Sequence, residues 1–168
     1  EASTRLAALK VGEVDIIEGV AGAMIAEVKG TPELKTFSSA RTASLFYSFM
    51  DAFTEPGSPF ADRRVRQALN YALNREAIVK KIYFGEAHPT VGPFWPSTFG
   101  VDPTLEPYPY DPKKAKQFLA EAGYPDGFKT QVLSYVSSST PLIPEVSEAL
   151  AGFLNNIGLE VKRSAANK

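Results

Sequence analysis

The chain has 168 residues, 44% hydrophobic and 22% charged, an ordinary balance for a folded globular domain. A formal net charge of -1 supplies no electrostatic motive for binding nucleic acid or an anionic membrane. With no cysteine, disulfides, thiolate catalysis and zinc–thiolate sites are excluded together.

No apolar run approaches the roughly 20 residues that a membrane-spanning helix needs. The opening Glu1-Ala2-Ser3-Thr4-Arg5 has neither a charged n-region nor an apolar h-region, so the chain reads as a piece of a longer protein with any export signal upstream. Leu6 and Leu9 share a face of a first predicted helix that Gly12 stops. Val14–Ile17 then reads as a short strand, and residues 20–29 as a helix burying Met24, Ile25 and Val28, ended by Gly30-Thr31-Pro32. Leu34–Phe37 and the aromatic Ser44–Met50 are strand candidates, and residues 54–59 form a Pro/Gly/Ser linker.

Stronger helix signals follow. Asp62 is placed to cap a helix whose stripe is Val65, Ala68, Leu69, Ala72 and Leu73. Asn74 caps the next, with Ile78, Val79 and Ile82 predicted to face the core and Gly85 beyond its end. Residues 86–110 hold six prolines and no periodicity, which predicts one long ordered loop of functional use. Asp111-Pro112 opens a helix with Ala115, Phe118, Leu119 and Ala122 inward and Gly123 closing it. The end predicts a βαβ unit: strand Lys129–Tyr135, helix 141–157 bearing Val146, Leu150, Leu154 and Ile157, and strand Leu159–Arg163. Such a unit implies parallel strands and a right-handed crossover. The fold class is α/β or α+β, with helices packed on a mixed sheet and no internal repeat.

Chemistry is sparse. His88 is the sole histidine, and no G-x-S-x-G elbow accompanies it. A small hydrolase using His88 is one alternative function; a stand-alone interaction domain using the 86–110 loop is another. Neither G-x-x-x-x-G-K-[ST] nor G-x-G-x-x-G occurs, and Gly19 with Gly22 reads as turn. Arg63, Arg64 and Arg66 read as a salt-bridged or solvated face. Phe94-Trp95-Pro96 lies inside the proline-rich loop, where aromatic rings can wall an apolar ligand site. Tyr108 and Tyr110, at the loop's end, read as packing residues.

Residues 59–75, Pro59-Phe60-Ala61-Asp62-Arg63-Arg64-Val65-Arg66-Gln67-Ala68-Leu69-Asn70-Tyr71-Ala72-Leu73-Asn74-Arg75, resemble the signature segment of family 5 extracellular solute-binding proteins. Gly85-Glu86-Ala87 before the loop, Tyr110-Asp111-Pro112-Lys113-Lys114-Ala115-Lys116 after it, and Glu121-Ala122-Gly123-Tyr124-Pro125-Asp126-Gly127-Phe128 are similar to its next blocks. Gly12-Glu13-Val14-Asp15-Ile16 upstream and Leu154–Val161 downstream continue the resemblance over nearly the whole chain. One departure is Met50-Asp51, where many members carry an asparagine. The resemblance implies a type II periplasmic-binding-protein-like lobe within a two-lobed protein. Residues 1–45 would end the first lobe, and residues 46–168 would form the major part of the second. It implies an ABC-importer component, periplasmic or extracellular and membrane-anchored, that captures a peptide or similar solute for the permease. Nickel complexes, oligosaccharides and opines are the other ligand classes, and self-association of the isolated piece is a further expectation. It implies no catalysis, cofactor or resident metal. The candidate ligand-contacting residues are Trp95, Phe94, His88 and Tyr47; Asp62 and Asp111 are assigned to helix caps.

Overall fold

The computed structural model describes residues 2–37, 55–92, 94, 98–134 and 142–165. Helix α1 (Ala2–Lys10) ends in a Schellman arrangement. Gly12, at φ 74°, donates its N–H to the Leu9 carbonyl, and Glu13 donates to Ala8 at 2.9 Å. Helix α2 (Ala23–Lys29) buries Ile25 and Val28 and leaves Met24 half-exposed. Lys10 and Glu27 form an ion pair that ties α1 to α2.

Residues 14–17 and 34–37 are irregular, against the expectation of strands. A strand is stable only when its backbone groups meet a partner ladder. Among the described residues none lies beside either segment, and Ile16 and Phe37 stand largely in solvent, at 86% and 93% exposure. The third strand candidate, Ser44–Met50, lies outside the described residues.

Beyond residue 55 the chain builds one core. A 3-10 turn (Pro59–Ala61) leads into α3 (Arg63–Ala72), α4 (Arg75–Lys81) and α5 (Pro112–Glu121). Each of these helices begins on the cap that its sequence announces. Asp62 accepts the Arg64 N–H at 2.7 Å, Asn74 accepts from Ala77 at 2.9 Å, and Asp111 accepts from Lys114 at 2.9 Å. Val65, Ala68, Leu69 and Ala72 of α3 and Ala115 and Leu119 of α5 are buried in one cluster with Val132, Leu150, Leu154, Ile157 and Leu159. The stripe predicted for α4 is only half-buried: Ile78, Val79 and Ile82 do not belong to this core.

The βαβ unit forms as expected: β1 (Lys129–Ser134), α6 (Ile143–Asn156) and β2 (Glu160–Ala165), with the two strands parallel. Register runs from Lys129 opposite Glu160 to Ser134 opposite Ala165. Two glycines set that register. Gly127 (φ 74°) precedes β1 and Gly158 (φ 107°) precedes β2, and a Cβ on Gly127 would sit 2.0 Å from the Gly158 carbonyl oxygen. Just past this close approach, the Glu160 N–H reaches the Phe128 carbonyl at 3.0 Å. Among the described residues the sheet consists of these two strands with helices packed on it, in keeping with the α/β expectation.

Two predictions follow from these local devices. Gly127→Ala should lower the urea midpoint far more than Gly123→Ala. Both glycines have positive φ, which costs alanine about 1–2 kcal/mol, but only Gly127 also meets backbone. Equal effects would show that the Gly127–Gly158 approach does not set the strand register. Asp62→Ala should cost about 1 kcal/mol at neutral pH through loss of the cap. The Arg64 side-chain hydrogen bond, followed by the Arg64 backbone bond, holds the Asp62 carboxyl below its ordinary 3.8. A depressed carboxyl stabilises the fold fully above its unfolded value and stops doing so as pH falls through the folded value. The deficit of the variant should therefore shrink in acid, below about pH 4; a deficit constant down to pH 2 would contradict the carboxylate's role.

Candidate functional site

The 86–110 loop has no helix or strand among its described residues, and both of its ends are fastened. At the entrance, Gly85 at φ 86° turns the chain out of α4, its N–H bonded to the Val79 carbonyl at 3.0 Å. The Glu86 carboxylate then meets the Lys29 ammonium of α2 at 2.5 Å. Inside the loop, Asp102 accepts from the Thr104 backbone and hydroxyl at 2.9 and 2.7 Å, a short Asx turn. These bonds, the side-chain one first, hold the Asp102 carboxyl below its ordinary value.

The exit is fastened by aromatics and by the C-terminal end of α3. Tyr108 packs edge-on against Tyr71 with centroids 5.0 Å apart, and Tyr71 stacks on Phe118 at 5.8 Å. Lys114 places its ammonium 4.4 Å from the Tyr71 ring centroid. A side-chain hydrogen bond with Tyr71, ahead of the charges of Tyr71 and Asp111, raises the lysine above its ordinary value. Tyr110 lies edge-on to Phe153 of α6 at 5.9 Å. The Asp111 N–H reaches the Tyr71 carbonyl at 2.8 Å. Tyr108 and Tyr110 thus pack as their position in the sequence suggested.

Between its fastened ends the loop exposes apolar side chains: Val91, Phe94, Phe99 and Leu105 are 46%, 63%, 103% and 56% exposed. His88 is also exposed. Of the four candidate residues, the structure therefore places His88 and Phe94 on the solvent side of this loop. Trp95 and Tyr47 lie outside the described residues. Two of the three arginines of the α3 signature are held by the scaffold. Arg64 pairs with Asp62 and donates to the Glu121 carbonyl at 2.6 Å, and Arg66 donates to the carbonyls of Phe60 and Ala61 at 2.7 and 2.9 Å.

A concave surface lies between α4 and α6. It is an open cleft of about 820 Å³, within the range of small-molecule sites. Ala77, Ile78, Ile82, Pro144, Ala149 and Phe153 give it an apolar lining. Its charges partly cancel at the rim, where Arg163 of β2 meets Glu148 at 2.5 Å. The half-buried α4 stripe is the one signal that pointed here. Phe153 joins the two surfaces, because it lines the cleft and also supports Tyr110 at the loop exit. Among the described residues no group of three or more histidines and carboxylates could hold a metal ion, and no helix is long and apolar enough to cross a membrane.

These features match a known family along the chain. The model of the bacterial extracellular solute-binding proteins, family 5 Middle, matches residues 1–167. Heme-binding protein A of Haemophilus influenzae is 34% identical over 162 residues, covering 95% of this chain and 29% of that protein. The glutathione-binding protein GsiB of Salmonella choleraesuis is 36% identical over 138 residues, covering 82% of this chain and 26% of its own length. Among solved structures, the ABC transporter-associated periplasmic binding protein DppA from Helicobacter pylori, in complex with the peptide STSA, superposes with a TM-score of 0.79 at 31% identity. That superposition covers 99% of this chain and 31% of DppA, so the chain spans about a third or less of the proteins it matches. The chain belongs to the bacterial extracellular solute-binding proteins of family 5.

Proposed function

We propose that this chain is part of the substrate-binding component of an ABC importer, which captures a peptide or similar small solute between two lobes and delivers it to the membrane permease. In this reading residues 1–45 close the first lobe and residues 46–168 form most of the second. Two facts support the division. Leu6, Ile25 and Val28 of α1 and α2 are buried, yet none belongs to the core cluster built by α3, α5, α6 and the strands. The ion pair that joins α2 to the later segment, Lys29 with Glu86, is solvent-exposed, a contact of the kind worth about 1 kcal/mol or less. The protein would work outside the cytoplasmic membrane, periplasmic or extracellular and membrane-anchored.

The observation that carries the reading is the exposed apolar row on a loop fastened at both ends. Single exposed apolar residues are ordinary; four of them on one long loop, Val91, Phe94, Phe99 and Leu105, support a surface that meets a partner or ligand. Fastened ends limit the conformational freedom that binding would otherwise have to remove. Phe94, Trp95 and His88, with Tyr47 from the preceding segment, are assigned to the ligand side. The mechanism is capture and presentation: a ligand held by both lobes binds the closed form better than the open one and shifts the population toward closure.

The test uses the complete gene product in thermal-shift titrations with the tetrapeptide STSA, glutathione, heme, a nickel–histidine complex, an oligosaccharide and an opine. One class should raise the melting temperature, since a ligand at 100 times its Kd stabilises the fold by about 2.7 kcal/mol. Phe94→Ala and Trp95→Ala should each weaken that ligand roughly tenfold or more. A Phe153→Ala variant that lost the shift while both loop variants kept it would move the site to the α4–α6 cleft. Hydrolysis of the peptide, abolished by His88→Ala, would replace the importer reading with an enzymatic one.

A further inference from the structure

Helix α3 ends with carbonyls that have no partner within the helix, and the way they are used is unusual. The Tyr71 carbonyl takes the Asp111 N–H at 2.8 Å. The Asn70 carbonyl takes Nη1 of Arg75 at 3.0 Å, and the Asn70 side-chain Oδ1 takes Nη2 of the same arginine at 2.7 Å. Asn70 is itself held, its Nδ2 donating to the Arg66 carbonyl at 2.9 Å. Nη1 of Arg75 also extends to the Tyr108 carbonyl at 3.4 Å. Among the described residues no carboxylate pairs with Arg75. Its half-buried guanidinium is spent on neutral acceptors, a costly use of a cation unless the geometry it fixes matters.

We propose that Arg75 is a positioning residue for the ligand-facing loop: by bridging the C-terminal end of α3 at Asn70 to the backbone of Tyr108, it fixes where the 86–110 loop leaves the lobe. This rests on the reading of that loop as the ligand wall. Only arginine fits the task. Its planar fork donates from two nitrogens in fixed directions, so one side chain can serve Asn70 twice and Tyr108 once; lysine is a point donor on a flexible stem. The position also suits a cation, since the C-terminal end of α3 carries partial negative charge. The Tyr108 ring on Tyr71 adds a second, apolar fastening, so removal of Arg75 should loosen the exit without unfolding the lobe.

The experiment follows chymotrypsin cleavage at Phe94, Phe99 and Leu105 in the complete gene product, mapped by mass spectrometry, beside the melting temperature and STSA affinity. Arg75→Met should speed cleavage in the loop roughly tenfold, with sites in α3 and α5 as resistant as before. Arg75→Lys should restore less than half of the lost protection, and Arg63→Ala, which removes an exposed arginine at the far end of α3, should change nothing. Because Arg75→Met also loses packing, Asn70→Ala serves as a second variant; it removes the 2.7 Å acceptor and should loosen the same loop sites. Unchanged cleavage in both variants, or full rescue by lysine, would overturn the positioning role. Uniform loss of protection across the lobe would overturn it too, leaving a merely structural arginine. The ligand reading fails separately, by Phe94→Ala leaving solute affinity intact, and the cleavage result then still decides whether Arg75 fixes the loop.

Discussion

Three alanines, Ala68 and Ala72 on α3 and Ala115 on α5, are buried to 1% exposure or less where the two helices meet. Methyl groups therefore fill that seam, and the larger Val65, Leu69 and Leu119 complete the same cluster. Interiors are packed at crystal-like density, so bulk added at this seam would have to displace a helix. The seam also fixes the C-terminal end of α3. Asn70, Tyr71 and the adjoining Arg75 are presented there, and those three hold the exit of the long loop. Moving α3 against α5 would move the loop with it.

The strand pair depends on a similar small-residue device. Parallel strands must start in step, since their connection gives no tight turn to set the register. Here two glycines allow backbone to pass backbone at the strand entrances, and α6 then covers the pair through Leu150 and Leu154. Edge-to-face contacts of Phe128 with Phe60 and Tyr124 tie this entrance back to the turn before α3. The scaffold is thus one continuous set of contacts from residue 59 to β2, with the loop carried at one end.

Much of this was legible because it is written in local chemistry. Asp62, Asn74 and Asp111 stand where a cap must stand, and each of their helices carries apolar residues at helical spacing. The βαβ unit was legible from its alternation of period. The strands expected at 14–17 and 34–37 were not real among the described residues, because β-rich composition specifies only a segment that suits a sheet. The sheet itself must be supplied by other chain. The α4 stripe looked like core for a related reason: periodicity reports an apolar face, not what covers it. Ile78 and Ile82 line an open cleft instead. At the site, composition singled out the aromatic loop and its lone histidine. It could not single out Arg75, whose acceptors are mostly backbone carbonyls and leave no trace in side-chain spacing.

The central claim is that the 86–110 loop is the ligand-facing wall of a family 5 solute-binding lobe. Hydrogen–deuterium exchange on the complete gene product, with and without a saturating solute found by thermal shift, tests it most directly. The account predicts that bound solute slows exchange in peptides from residues 86–110, while the α3–α5 seam, already protected, stays as it was. Exchange in the loop that is unchanged by a bound solute, with new protection confined to other segments, would contradict it.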